Sequence, residues 1–262
     1  MKLQLEGLSR HLPWFIWSVL IIGGLVIVLF TLPVRWVSGL LDAKTACRVV
    51  MVEPSGSVWQ GSAALGFAER RIGAKNQNDC QAPMALTERL TWRTQCDIRT
   101  LQCLTTVTYP ALEKPMQIQW RPSGMVIRAN QVTLPANFLE AIGNPWKTLR
   151  PRGQLFARWT DIQMGDAVSG IIRIIITNMA SPISAISPLG SYQILGNIGS
   201  TANQWVLEST NGPLLLKGQG QWTPQGLQFS GEASSAPEVG DALQGLLALL
   251  GRKEGGVIRL QY

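Results

Sequence analysis

MQIQWRPSGMVIRANQVTL, residues 116–134, reads as two alternating runs joined by a turn. Met116, Ile118 and Trp120 interleave with Gln117 and Gln119, the period-two pattern of a strand with one apolar face. Arg121-Pro122-Ser123-Gly124 carries the proline and glycine that tight turns use. Residues 125–134 then resume the strand pattern, which makes the whole stretch a hairpin.

The alternation extends both ways. Downstream, strand patterns cover residues 154–162, 167–177, 190–194, 204–208, 213–222 and 226–233, and 256–262 closes the chain. Upstream, residues 47–52 lead to a turn at Pro54-Ser55-Gly56, and residues 57–67 form the next strand. Residues 86–93 and 104–109 flank a loop bracketed by Cys96 and Cys103. Helical spacing occurs in two places. Residues 136–142 form a short helix stopped by Gly143-Asn144-Pro145. In residues 238–250, Leu243, Leu246, Leu247 and Leu250 fall at i, i+3, i+4 and i+7, with Gly251 as the stop. No repeat of fixed period is present. Successive strands with short turns predict a mainly β fold: a largely antiparallel sheet, compatible with curvature, carrying two short helices. Helices so few disfavour a parallel βαβ layout.

Before this domain comes LPWFIWSVLIIGGLVIVLFTLPV, residues 12–34, without one charged residue. At about 1.5 Å rise per residue such a run crosses the ~30 Å hydrocarbon layer of a bilayer. Trp14 and Trp17 near one end, and Trp36 just past the other, suit the headgroup belts. Gly23-Gly24 is tolerated in spanning helices and allows close helix approach. A cleaved signal peptide has a shorter apolar region and a small-x-small site, whereas Pro33, Arg35 and Trp36 follow here. The run therefore reads as an uncleaved, single-pass signal anchor. Lys2 and Arg10 on the short arm favour an N-terminus in the cytoplasm and the bulk of the chain outside. The expected organisation is an arm over residues 1–11, a span over 12–34, a linker or helical continuation over 35–46, and a β-rich domain over 47–262.

The chain is formally +7; without Lys2, Arg10, Arg35 and Glu6, 20 basic residues face 15 acidic ones. The basic residues are scattered and lack interleaved aromatics, so a nucleic-acid groove is not indicated. All four cysteines, Cys47, Cys80, Cys96 and Cys103, lie on the exported side, where an even number implies two disulfides. Three pairings are open. The preferred one joins Cys96 to Cys103 across a short loop and Cys47 to Cys80, tying the segment after the membrane to the loop near Asn76. Zinc is not expected, because no CxxC occurs and His11, at the membrane edge, is the only histidine.

Chemistry is sparse. Without histidine the exported part cannot build a Ser-His-Asp or Cys-His arrangement, and it has no GxSxG, P-loop or HExxH motif. Asp161 and Asp166 suggest a carboxylate pair by proximity alone, and Gly218-Gln219-Gly220 sits inside a strand pattern rather than opening a helix. The expectation is a protein without catalytic residues, cofactor or metal. Trp59, Trp92, Trp120, Trp159, Trp205 and Trp222 lie in or beside strands, and packing in the sheet core is favoured over a ligand-stacking row.

Three stretches carry a family resemblance. GSVWQGSA (56–63), LRPRGQL (149–155) leading into Arg158-Trp159, and GQGQW (218–222) followed by residues 227–233 and the leucine-rich 237–251 with Arg252 occur in this order. Together with the anchor, the chain resembles the protein N family of the bacterial type II secretion system; the four cysteines stand outside that pattern. The resemblance implies a non-enzymatic accessory in the inner membrane, facing the periplasm. It supports export of folded proteins through contacts with other subunits, the inner-membrane platform or the secretin. The strand-turn pattern is also similar to AsmA-type envelope proteins, and that likeness implies lipid bound in a curved sheet groove.

Overall fold

The computed structural model describes residues 31–45, 49–67, 84–142, 146–166, 168–199, 203–223, 226–254 and 257–261, and positions 17, 20, 21, 23, 24, 28 and 80. Within them, sixteen strands join into one sheet. In chain order these are β1 (Val50–Gly56), β2 (Gln60–Phe67), β3 (Met84–Asp97), β4 (Gln102–Thr108), β5 (Met116–Arg121), β6 (Gly124–Ile127), β7 (Asn130–Pro135), β8 (Arg152–Trp159), β9 (Ile162–Gly165), β10 (Ser169–Ala180), β11 (Gly190–Gly199), β12 (Gln204–Asn211), β13 (Leu214–Thr223), β14 (Gly226–Ser235), β15 (Arg252–Glu254) and β16 (Val257–Gln261). Three short helices accompany them: α1 (Val34–Lys44), α2 (Trp146–Leu149) and α3 (Gly240–Leu250). Neighbours run β1 to β6, then β9 to β14, then β16 and β15. β8 pairs with β10 alongside β9, and β7 pairs with β8. The pairings are antiparallel, as short turns between successive strands require.

Several boundaries differ from the sequence reading. The hairpin turn at residues 122–123 forms, but its second arm splits at Arg128-Ala129 into β6, which pairs with β5 and β9, and β7, which pairs with β8. Residues 154–162 likewise divide between β8 and β9. One alternating run here serves two different partners, which no local pattern records. Pro54-Ser55-Gly56 is not a turn: it lies inside β1, bulged between Val52 and Ser55, with Glu53 at φ 48°. β1 is the sheet's edge, where a proline need not donate to a ladder. The turn falls after it, where Ser57 Oγ accepts the N–H groups of Trp59 and Gln60. Residues 136–142 form a 3-10 helix, and a 3-10 turn over Pro237–Val239 precedes α3. β15 and α2 have no counterpart in the sequence reading.

α3 behaves as its spacing dictates: Leu243, Leu246, Leu247 and Leu250 are all buried. It packs on β14 and β16. Around it, Leu155, Ile176, Tyr192, Leu207, Leu214, Leu216, Ala233, Ile258 and Leu260 from the sheet close a core, with Ala136, Leu139 and Leu149 from the 3-10 segment and α2. At Gly251, where the helix ends, the backbone passes very close to Arg259, and a Cβ there would overlap its carbonyl oxygen.

At the N-terminal edge α1 lies against β1, with Val34 and Ser38 buried. Just before it, Leu32 O accepts the Val58 N–H at 3.1 Å and Pro33 forms a bridge with Ser57. The described positions from Trp17 to Thr31 are helical. Among the described residues no helix is long and apolar enough to cross a membrane; most of the 12–34 run lies outside them.

Candidate functional site

Strand register sorts the sheet into two faces. On one, Trp92, Val107 and Met116 stand in a row across β3, β4 and β5. A second row runs Thr94, Thr105, Ile118, Ile127, Ile162 across β3, β4, β5, β6 and β9. Ile162 meets Gly170 of β10, and a third row continues beside it: Trp159, Ile172, Gly196, Trp205, Gly220, Phe229. This face is apolar from β3 to β14. The opposite face carries Arg93, Thr106 and Gln117 in one half and the alternating charges Glu208, Lys217, Glu232 and Arg259 in the other. Opposite charges at facing positions support the pairing of the strands.

The apolar face is not uniformly covered. α3, the 3-10 helix Ala136–Ile142 and α2 cover one end of it over β8, β10 to β14 and β16. Among the described elements, β2 to β6 make their main contacts only with neighbours in the sheet. Trp92, Val107, Met116, Ile118 and Ile127 are half-buried, and Trp120 is 45% exposed.

None of Trp59, Trp92, Trp120, Trp159 and Trp205 is among the buried residues, and the Trp222 side chain lies outside those described. Two lie on glycines of the neighbouring strand instead. A Cβ at Gly61 would overlap the Trp92 ring, and one at Gly196 would overlap that of Trp205. A Cβ at Gly218, from the Gly218-Gln219-Gly220 stretch, would likewise overlap the Phe229 ring. The glycines are flat seats for rings, an arrangement that shields exposed sheet backbone and pins register. Alternation alone marks a tryptophan as strand-borne; the glycine facing it appears only with the register.

The remaining candidate residues are placed as follows. Cys96 and Cys103 form a disulfide with Cα atoms 4.0 Å apart, facing each other in β3 and β4. Cys80 is disulfide-bonded; Cys47 lies outside the described residues, as does Trp14. Trp17 and Trp36 are 66% and 72% exposed. Gly23 and Gly24 are helical, and a Cβ at either meets nothing within 4 Å. Asp161 and Asp166 are not a pair. They stand at opposite ends of β9, about 16 Å apart at ~3.3 Å per residue, beyond the span of glycosidase carboxylates. Asp161 instead accepts the Arg128 guanidinium at 2.8 Å and the Ala129 N–H at 2.7 Å. Among the described residues no group of three or more His, Cys, Asp or Glu is placed to hold a metal ion.

The family model for protein N of the type II secretion system matches residues 48–261, which is the entire sheet with α3. The chain belongs to this family. No curated protein and no solved structure matches it.

Proposed function

We propose that the chain is a non-enzymatic, single-pass inner-membrane subunit of the type II secretion system, with its N-terminus in the cytoplasm and its sheet in the periplasm. It supports export of folded proteins by contacts with other subunits. The observation that carries this reading is the uncharged run at residues 12–34 placed directly before a domain of the protein N family. Gly23 and Gly24, where a Cβ meets nothing within 4 Å among the described residues, offer a neighbouring membrane helix a close approach. Crosslinking and affinity capture of the full-length protein from its native envelope recovers the inner-membrane platform or the secretin under this proposal; recovery of neither overturns it. Replacing Gly23 and Gly24 by Leu lowers that recovery. Unchanged recovery removes the helix contact and leaves the docking to the sheet.

The half-covered apolar face of β3 to β6 favours a second reading, a lipid-binding sheet. Native mass spectrometry of the full chain released from membranes decides it: bound phospholipid supports this reading and its absence removes it.

A further inference from the structure

We infer that the β3–β4 hairpin tip, residues 98–101, dips its two apolar side chains into the surface of the same bilayer that holds the N-terminal anchor. The inference rests on the anchor assignment proposed above for residues 12–34.

The tip is built to be rigid and apolar. Ile98 is 84% exposed and Leu101 71%, the two most exposed large hydrophobic residues among those described in the domain. Leu101 sits at φ 52°, in the left-handed region that side chains other than glycine, asparagine and aspartate rarely occupy. A leucine held there, in the open, gains nothing from packing within its own chain. The turn is nevertheless fixed. Asp97 accepts the Arg99 N–H at 2.9 Å and the Thr100 hydroxyl at 3.1 Å, and the Cys96–Cys103 disulfide closes its base. Arg99 at the tip and Arg121 at the end of β5, one residue beyond the partner of Cys103, are exposed cations at this end of the sheet. Trp120, paired in register with Cys103, stands half-exposed at the base. Apolar tip, then exposed cations and a tryptophan, follow the layering of a bilayer surface: acyl boundary, then the headgroup region, where basic and tryptophan side chains both settle.

Topology supplies the reason for choosing the bilayer rather than a protein pocket. The anchor run reaches the domain at Leu32 and Pro33, which are joined to Val58 and Ser57 in the β1–β2 turn. Trp59 O of that turn accepts the Thr94 N–H of β3. From Thr94, β3 continues in the same direction past the end of β2, so Ile98 lies about 13 Å farther along at ~3.3 Å per residue. The end of the sheet that receives the anchor is therefore the end from which the apolar tip projects. The loop over residues 181–189 lies at the opposite end of β10, about 36 Å away along the strand.

The test uses the full-length protein in vesicles of phosphatidylcholine and phosphatidylglycerol, with a single environment-sensitive fluorophore on an introduced cysteine and doxyl-labelled lipid as quencher. Labels are placed at Val28→Cys in the anchor, Thr100→Cys at the tip and Ala185→Cys at the far end. The expected result is strong quenching at positions 28 and 100, severalfold above that at 185. Adding Ile98→Ser and Leu101→Asn then removes the quenching at 100 and leaves that at 28 unchanged; asparagine keeps the left-handed turn. Quenching at 28 with a tip no better quenched than 185 overturns the inference while the anchor assignment stands. Tip quenching that survives the double substitution also overturns it, since the apolar side chains then do not make the contact. An unquenched position 28 overturns the anchor assignment and this inference together.

Discussion

The two halves of the sheet share one apolar face but cover it differently. In the half formed by β8, β10 to β14 and β16, α3 and the 3-10 segment with α2 lie on that face and enclose a core in which Tyr192, Ile176, Leu214 and Leu243 are at most 1% exposed. In the half formed by β2 to β6, the same kind of alternating strand carries Trp92, Val107, Ile118 and Ile127 with no element laid across them among those described. This half is secured by different means: a disulfide between β3 and β4, a ring seated on Gly61, and indole N–H bonds from Trp92 to the Ser57 and Val58 carbonyls and from Trp120 to Thr105. The first half is held mainly by burial; in the second, apolar side-chain burial is confined to Ala63, Leu90 and Val126 among the described residues, and the staples add to it. Among the described residues the face of β3 to β6 is the less covered one, which makes it the candidate functional surface.

The largest test of this contrast removes a core side chain. Leu243→Ala deletes a fully buried leucine from the helix that covers the C-terminal half. The expected loss is about 2–5 kcal/mol, from lost transfer energy and the cavity left behind. Hydrogen exchange should show it as lost protection in α3, β13 and β14, with β3 and β4 little changed. Equal loss of protection in both halves would mean that the sheet unfolds as one unit and that the division drawn here is wrong.

The two halves also differed in how far the sequence revealed them. The four leucines of α3 are legible because helical spacing is a local code, and all four are buried. The Arg121–Gly124 hairpin and the Cys96–Cys103 closure are local as well, and both form. What escaped was every feature that depends on a distant strand. Arg128 and Ala129 carry no mark that the chain changes partner there, from β9 to β8. Pro54 reads as a turn former unless β1 is known to be an edge. Trp92 and Trp205 read as core residues because the glycines beneath them, Gly61 and Gly196, belong to other strands. How far the face is covered depends on where the helices lie, and strand patterning does not encode it.

The stapled half has its own test, of intermediate size. The disulfide joins residues seven apart, and closing so short a loop contributes about 2.5 kcal/mol in the chain-entropy account. Replacing Cys96 and Cys103 together by Ser should raise hydrogen exchange along β3 and β4 and leave α3 protected. This is the mirror image of the Leu243→Ala result. If the double substitution leaves β3 and β4 unaffected, the pairing of their side chains suffices without the covalent link.

The smallest expected effect falls on the seam between the halves. Asp161, between β8 and β9, accepts the Ala129 N–H at 2.7 Å and the Arg128 guanidinium at 2.8 Å, where the chain passes from β6 to β7. The backbone N–H of Ala129, with the hydrogen bond and charge of Arg128 after it, holds its carboxyl below the ordinary carboxylate range. A depressed native pKa means the folded state binds its proton later than the unfolded chain does. The stabilisation is therefore complete above the ordinary carboxylate pKa, declines as pH falls from there through the lowered native value, and is absent below both. Asp161 and Arg128 are 41% and 46% exposed, so solvent screens the pair and the contribution is at most about 1 kcal/mol. Asp161→Asn keeps an acceptor for Ala129 and removes the charge. The variant should match the parent in strongly acid solution and fall below it near neutrality, and the gap should narrow in high salt. Exchange should quicken first at β6, β7 and β9, where the open half meets the covered one. A variant whose deficit is the same at every pH would assign Asp161 to backbone geometry alone and leave the seam without an electrostatic clasp.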